Sequence, residues 1–102
     1  MRRVLPQRRA AEISDLRFGN KNFTVTIGRF GDGAPAEVFV DVAKSGTDLA
    51  AIARDAAVVL SLALQHGTPI ETIRHAVTRS GSGEAASIIG ATVDQLTARG
   101  GP

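Results

Sequence analysis

The sequence predicts an α+β domain: a two- or three-stranded antiparallel sheet followed by three helices packed on one of its faces. Two observations carry this. Between residues 23 and 42, apolar and polar residues alternate with a period of two on either side of a glycine-rich turn. After residue 46 the period changes to that of a helix, with Gly67 and the Ser80–Gly83 segment as breaks. One face of such a sheet is apolar and needs a cover, and the helices are the only apolar segments left to supply it.

The elements follow in order. Residues 1–10, with Pro6 and two arginine pairs, are expected to form a basic arm outside the domain. Residues 11–18 are expected to be a short strand with Ile13, Leu16 and Phe18 as its apolar content, and Gly19-Asn20-Lys21-Asn22 a turn. In the next strand Phe23, Val25 and Ile27 share one face, opposed by Thr24 and Thr26. Gly31, Asp32, Gly33 and Pro35 supply a hairpin turn. Val38, Val40 and Val42 then repeat the pattern against Glu37, Phe39 and Asp41.

Thr47 is the expected N-cap of the first helix, with Asp48 favoured in its first turn by the helix dipole. Leu49, Ile52, Ala53, Ala56, Leu60, Ala63 and Leu64 are read as one broad buried face. From Ala56 to Leu64 the only polar residue is Ser61. That stretch must be covered nearly all round, at the centre of the domain or by a second copy, so a homodimer through the Ala56–Leu64 helix is expected. Gly67 suits a left-handed helix stop. Thr68-Pro69-Ile70-Glu71 reads as a capping box opening a second helix, with Ile70, Ile73 and Val77 as its apolar stripe. Ser80-Gly81-Ser82-Gly83 reads as a flexible break. The last helix is expected from Glu84 to Ala98, burying Ala86, Ile89, Val93 and Leu96, with Gly90 marking a close backbone approach. The domain is thus 11–98, with 99–102 a frayed tail.

Composition narrows the function. The 102 residues contain no cysteine, which excludes disulfides, thiolate metal sites and thiol nucleophiles, and fits a cytoplasmic protein. The longest nearly apolar run is too short to cross a bilayer, where about 20 residues are needed, so no membrane role is expected. Residues 1–30 carry a balance of +5 and residues 31–102 a balance of −3. Arg2, Arg3, Arg8 and Arg9 are therefore candidates for contact with nucleic acid phosphates, against the plainer reading of a solvated basic tail.

Few residues suggest chemistry. Lys44, Ser45 and Thr47 precede a helix N-terminus and could hold a phosphate, or simply join a strand to a cap. Arg29 could join that ligand set, or pair with Glu37 or Asp41 on the outer face of the sheet. His66 could be a base or a ligand, or could satisfy carbonyls at a helix end. Two histidines without cysteine do not make a zinc site, so no metal or other cofactor is expected. Ser61 is expected to bond its own helix rather than act as a nucleophile.

In their order, Ile27-Gly28-Arg29, Asp32-Gly33, Ala36-Glu37-Val38-Phe39-Val40, Lys44-Ser45-Gly46 and Ser61-Leu62-Ala63-Leu64-Gln65-His66-Gly67-Thr68-Pro69 resemble a known family. It is the TSCPD-type domain of vitamin B12-dependent (class II) ribonucleotide reductases, especially its small free-standing bacterial relatives. The likeness covers about residues 12–97. It implies the same fold and an association with nucleotide metabolism. The 102 residues hold neither a cysteine nor a counterpart of the radical-generating barrel, so the reductase's catalysis is not implied. Three readings follow. The first is a non-catalytic, reductase-related accessory or binding module, whose partner is a ribonucleotide reductase or a nucleotide. The second is a nucleic-acid-binding module using the basic N-terminal third. The third, an enzyme acting alone, would turn on His66.

Overall fold

The structure, a computed structural model, describes residue 3, residues 11–42 and residues 47–100, the last three as backbone only. Three strands come first: β1 (Ala11–Phe18), β2 (Lys21–Arg29) and β3 (Pro35–Val42). Three helices follow: α1 (Asp48–Gln65), α2 (Ile70–Ala76) and α3 (Ile88–Gly100). The sheet is antiparallel throughout, in the order β1-β2-β3. The α+β architecture is the one the alternation and the helical periods predict.

The register explains the faces. Val25 stands opposite Ser14 on one side and Val40 on the other, and Ile27 opposite Glu12 and Val38. Phe23, Val25, Ile27, Val38 and Val40 all point into the core, where Ala53, Ala57, Leu60 and Leu64 of α1 and Ile88, Val93 and Leu96 of α3 meet them. In β1 the inward set is Glu12, Ser14, Leu16 and Phe18, so Ile13 faces outward and is 71% exposed. That parity is why β1 alternates imperfectly.

Several local expectations need correction. The first turn contains only Gly19 and Asn20, because Phe18 already pairs with Lys21. Gly19 takes φ 61°, and a left-handed glycine at the first central position lets two residues close a hairpin. Thr68 does not cap α2. Its N–H donates back to the Ala63 carbonyl while the Gly67 N–H donates to that of Leu64, and Gly67 has φ 94°. This paired C-terminal closure commits Thr68 to ending α1, and α2 starts from Pro69 with no side-chain cap.

The Ser80–Gly83 segment is a closed turn rather than a flexible break. The Ser80 N–H donates to the Glu84 carbonyl and the Gly83 N–H to that of Ser80, beside a bridge between Arg79 and Ala85. Consequently α3 begins four residues later than expected. Ser87 Oγ accepts from the Gly90 N–H, which makes Ser87 its cap. Ala86 is left exposed, and Ile88 rather than Ile89 is the fully buried isoleucine. The close approach at Gly90 is present: a Cβ there would lie 3.3 Å from the Ala85 Cβ.

The edge of β3 carries the main surprise in the packing. Ser61 Oγ accepts from the Val38 N–H (2.8 Å) and lies within donating distance of the Ala57 carbonyl (2.8 Å) and the Val38 carbonyl (3.1 Å). One turn further, Gln65 Nε2 donates to the Ala36 carbonyl (3.0 Å). A sheet edge presents unpaired backbone groups. Here α1 lies along that edge and its two buried polar side chains satisfy them. Ser61 thus bonds its own helix as expected, and the sheet as well.

Candidate functional site

Thr47 Oγ1 accepts from the Ala50 N–H at 3.1 Å and is the N-cap of α1. Its hydroxyl is therefore engaged by the helix. Lys44 and Ser45 lie outside the described residues, as do Arg2, Arg8 and Arg9. Arg29 pairs with Pro35 at one end of the β2–β3 ladder, the opposite end from Val42. Its Nε donates to Glu12 Oε2 on β1, and its Nη1 to the Gly33 carbonyl. The β2–β3 register shifts between Gly28 and Arg29, where Gly28 faces Glu37 and Arg29 faces Pro35. Of Glu37 and Asp41, the two acids considered for Arg29, Asp41 pairs with Arg54 of α1 at 3.1 Å.

Arg3 lies at the β2–β3 turn. Its guanidinium is 3.9 Å from the centre of the Phe30 ring, and Nη2 contacts Asp32 Oδ2 at 2.9 Å. Its N–H donates to the Gln65 carbonyl. Asp32 also accepts from the Ala34 N–H. That bond first, and Arg3 second, hold its carboxyl below the usual range. Of the basic N-terminal third, Arg3, Arg29 and also Arg17, which donates to Asn22 Oδ1, have partners inside the domain.

His66 Nδ1 lies 2.8 Å from the Leu62 carbonyl at the end of α1, the structural role open to it from sequence. His75 is exposed and 3.7 Å from Glu71 on its own helix. No group of three or more His, Cys, Asp or Glu suited to a metal occurs among the described residues. No helix among them is long and apolar enough to cross a membrane.

The strongest polar cluster ties the C-terminal half together. Arg79 donates through Nη1 and Nη2 to both carboxylate oxygens of Asp94, at 2.7 and 2.6 Å, and through Nη2 to the Arg74 carbonyl. The bond from Arg79 holds the Asp94 carboxyl below the usual carboxylate range, against the opposing effect of burial, and Arg74 adds to it. This forked pair fastens the turn after α2 to α3. It has the geometry of a structural clamp.

What remains is an apolar surface. The residues of α1 do not form one broad buried face. Ala50, Ala53, Ala57, Leu60 and Leu64 turn inward, whereas Ile52 is 64% exposed and Val59 67%. Ile52, Ala56, Val59 and Ala63 follow one another at spacings of four, three and four, the seam by which one helix packs on another. Val58 and Leu62 widen the stripe on one side. The expectation of a central helix covered nearly all round is therefore corrected: α1 is covered by its own domain on one side only. The signal was present in the sequence as two apolar stripes about 120° apart, merged into one by reading their sum.

With this geometry in view, the relatives can be placed. The chain matches the TSCPD domain family over residues 2–98 and belongs to it. It is 35% identical over 77 residues to the vitamin B12-dependent ribonucleotide reductase of Agrobacterium fabrum. It is 31% identical over 72 residues to that of Rhodopirellula baltica, and 30% over 77 residues to that of Bradyrhizobium diazoefficiens. These matches take in 76%, 71% and 76% of this chain, but only 6%, 7% and 6% of the respective reductases. The chain thus spans less than a tenth of the length of the curated relatives it matches. No solved structure matches it.

Proposed function

We propose that this chain is a non-catalytic, ribonucleotide-reductase-related module of the cytoplasm that docks onto the body of a reductase through the outward stripe of α1. One observation carries the reading: Ile52 and Val59 stand more than 60% exposed on a seam of helix-packing spacing. In the relatives, the matching segment is joined to a chain more than ten times its length, which offers a cover for such a face. The polar groups of the domain support a binding role. Ser61, His66, Arg29 and Asp94 each have a structural partner within the domain.

The experiment uses the Agrobacterium fabrum reductase with its own matching segment deleted. The chain added in trans should bind it, and Val59→Lys should abolish binding without changing the helical content or the thermal midpoint. A chain that binds equally well with Val59→Lys, or not at all, refutes the docking. Self-association through the same stripe, the homodimer expected from the sequence, is the competing occupant. Light scattering would reveal it as a doubled mass lost in Val59→Lys, and that result would displace the reductase reading.

A further inference from the structure

A second surface lies at the other end of the helix layer, where the β1–β2 hairpin passes the first turns of α1 and α3. A cleft of about 500 Å³ opens there, within the 300–1,000 Å³ range of small-molecule sites. Its apolar walls are Phe18, Phe23, Leu49 and Ile88. Phe23 and Ile88 are buried and form its floor, whereas Phe18 is half-buried and offers a ring face on which a flat group can pack.

The mouth has a defined charge. Among the described residues, Lys21 is the only charged side chain lining the cleft. Its position is unusual. Lys21 stands opposite Phe18 in the register and shares the parity of Phe23, Val25 and Ile27, so it projects on the core side of the sheet. A lysine kept solely for solubility suits the outer face, where Thr24 and Thr26 lie. Among the described residues Lys21 has no ion pair, and the Asn20 amide adds donors beside it. Ser87, on the far wall, caps α3, so the positive end of that helix borders the same space.

We propose that this cleft is a binding site for a planar aromatic group carrying an anionic substituent. The ring lies against Phe18 and Leu49, over the buried Phe23, and the anion meets Lys21. Phosphorylated heterocycles and free aromatic acids share this chemistry. The site is independent of the docking proposed for α1 and would stand if that docking failed.

The test is titration of the intact chain with 1-naphthyl phosphate, followed by calorimetry, with 1-naphthol as the neutral control. One site per chain is expected, with naphthol at least tenfold weaker. Lys21→Ala should cost about tenfold in affinity. Ala86→Trp, at an exposed position of the cleft wall, should abolish binding by filling the space. Val59→Lys should leave binding intact. Circular dichroism checks that each variant folds, and Lys21→Glu, at an exposed site, serves if Ala86→Trp does not. Adenosine monophosphate and indole-3-acetate then separate the two sources, and saturable binding of either supports the site. Equal affinity for naphthol, binding undiminished in both the Lys21 and Ala86 variants, or no binding of any of these anions overturns it.

Discussion

Ser61→Ala tests the central packing argument, that a polar residue in an apolar helix is there to close a sheet edge. The hydroxyl has one proton, for which the Ala57 and Val38 carbonyls compete, and it accepts the Val38 N–H at 2.8 Å. Alanine removes that acceptor and leaves the N–H of a fully buried residue facing a methyl group. Orphaning a buried donor costs about 1–3 kcal/mol. The better helix propensity of alanine returns up to about 0.5 kcal/mol. The net loss should therefore be about 1.5 kcal/mol, of the 5–15 kcal/mol typical for a whole domain. Urea denaturation should show a lower midpoint with an unchanged slope. Hydrogen exchange should show the Val38 amide opening about tenfold more readily. Thr97→Ala is the control. Thr97 Oγ1 donates to the Asp94 carbonyl within its own helix, so its loss orphans no buried donor and should change stability by less than about 0.5 kcal/mol. If Ser61→Ala is as stable as the parent and its Val38 amide equally protected, the edge-closing account is wrong.

Three further outcomes follow from the geometry. Gly67→Ala should destabilise by about 1 kcal/mol in thermal or urea melts, because φ is 94° while a Cβ would meet nothing within 4 Å, so the whole cost is conformational. Gly90→Val should destabilise by about 1–3 kcal/mol despite its helical position, since even the first carbon would crowd Ala85, Ser87 and Val77, at 3.3, 3.4 and 3.5 Å. Asp94 makes stability depend on pH with a fixed sign. Its folded pKa lies below the ordinary 3.8, so its contribution is complete above that value and fades as pH falls through the folded pKa. Melts between pH 5 and 2 should show the parent losing stability below about pH 4 faster than Asp94→Asn, and parallel curves would refute the clamp.

The strands were legible because burial of one face imposes a period of two, and Phe23, Val25, Ile27, Val38 and Val40 obey it without exception. β1 was legible only as apolar content. Its inward set includes Glu12 and Ser14, which bond to Arg29 and to Gln95 across the fold. Partners distant in sequence leave no mark on local alternation. The same holds for Ser61, whose acceptor role belongs to a strand 23 residues away. The stop at Gly67 could be read from residue type, whereas the role of Thr68 could not. A threonine before proline suits both the closure of one helix and the cap of the next, and the hydrogen bond to Ala63 decides it. Of the candidate site, the apolar excess of α1 was visible as composition. Its division into two stripes depends on where the sheet lies, and Lys21 was hidden inside an expected turn.

The stripe and the cleft meet at one residue. Ile52 opens the outward seam of α1 and also lines the cleft. A variant at Ile52 would weaken a docked partner and a bound ring alike, and its result would assign neither. The separating positions lie away from that junction. Val59 is two helical turns along α1 and does not line the cleft, and Lys21 is on the hairpin and not on the stripe. If both sites are real, the junction has a further consequence. A ring seated against Phe18 shares Ile52 with whatever covers the stripe, so the two ligands must alter each other's affinity by the same factor. Measuring naphthyl phosphate affinity with and without the truncated reductase, and reductase affinity with and without naphthyl phosphate, should give equal ratios different from one. Ratios of one would mean that Ile52 belongs in practice to only one of the two surfaces, and the Val59 and Lys21 variants would say which.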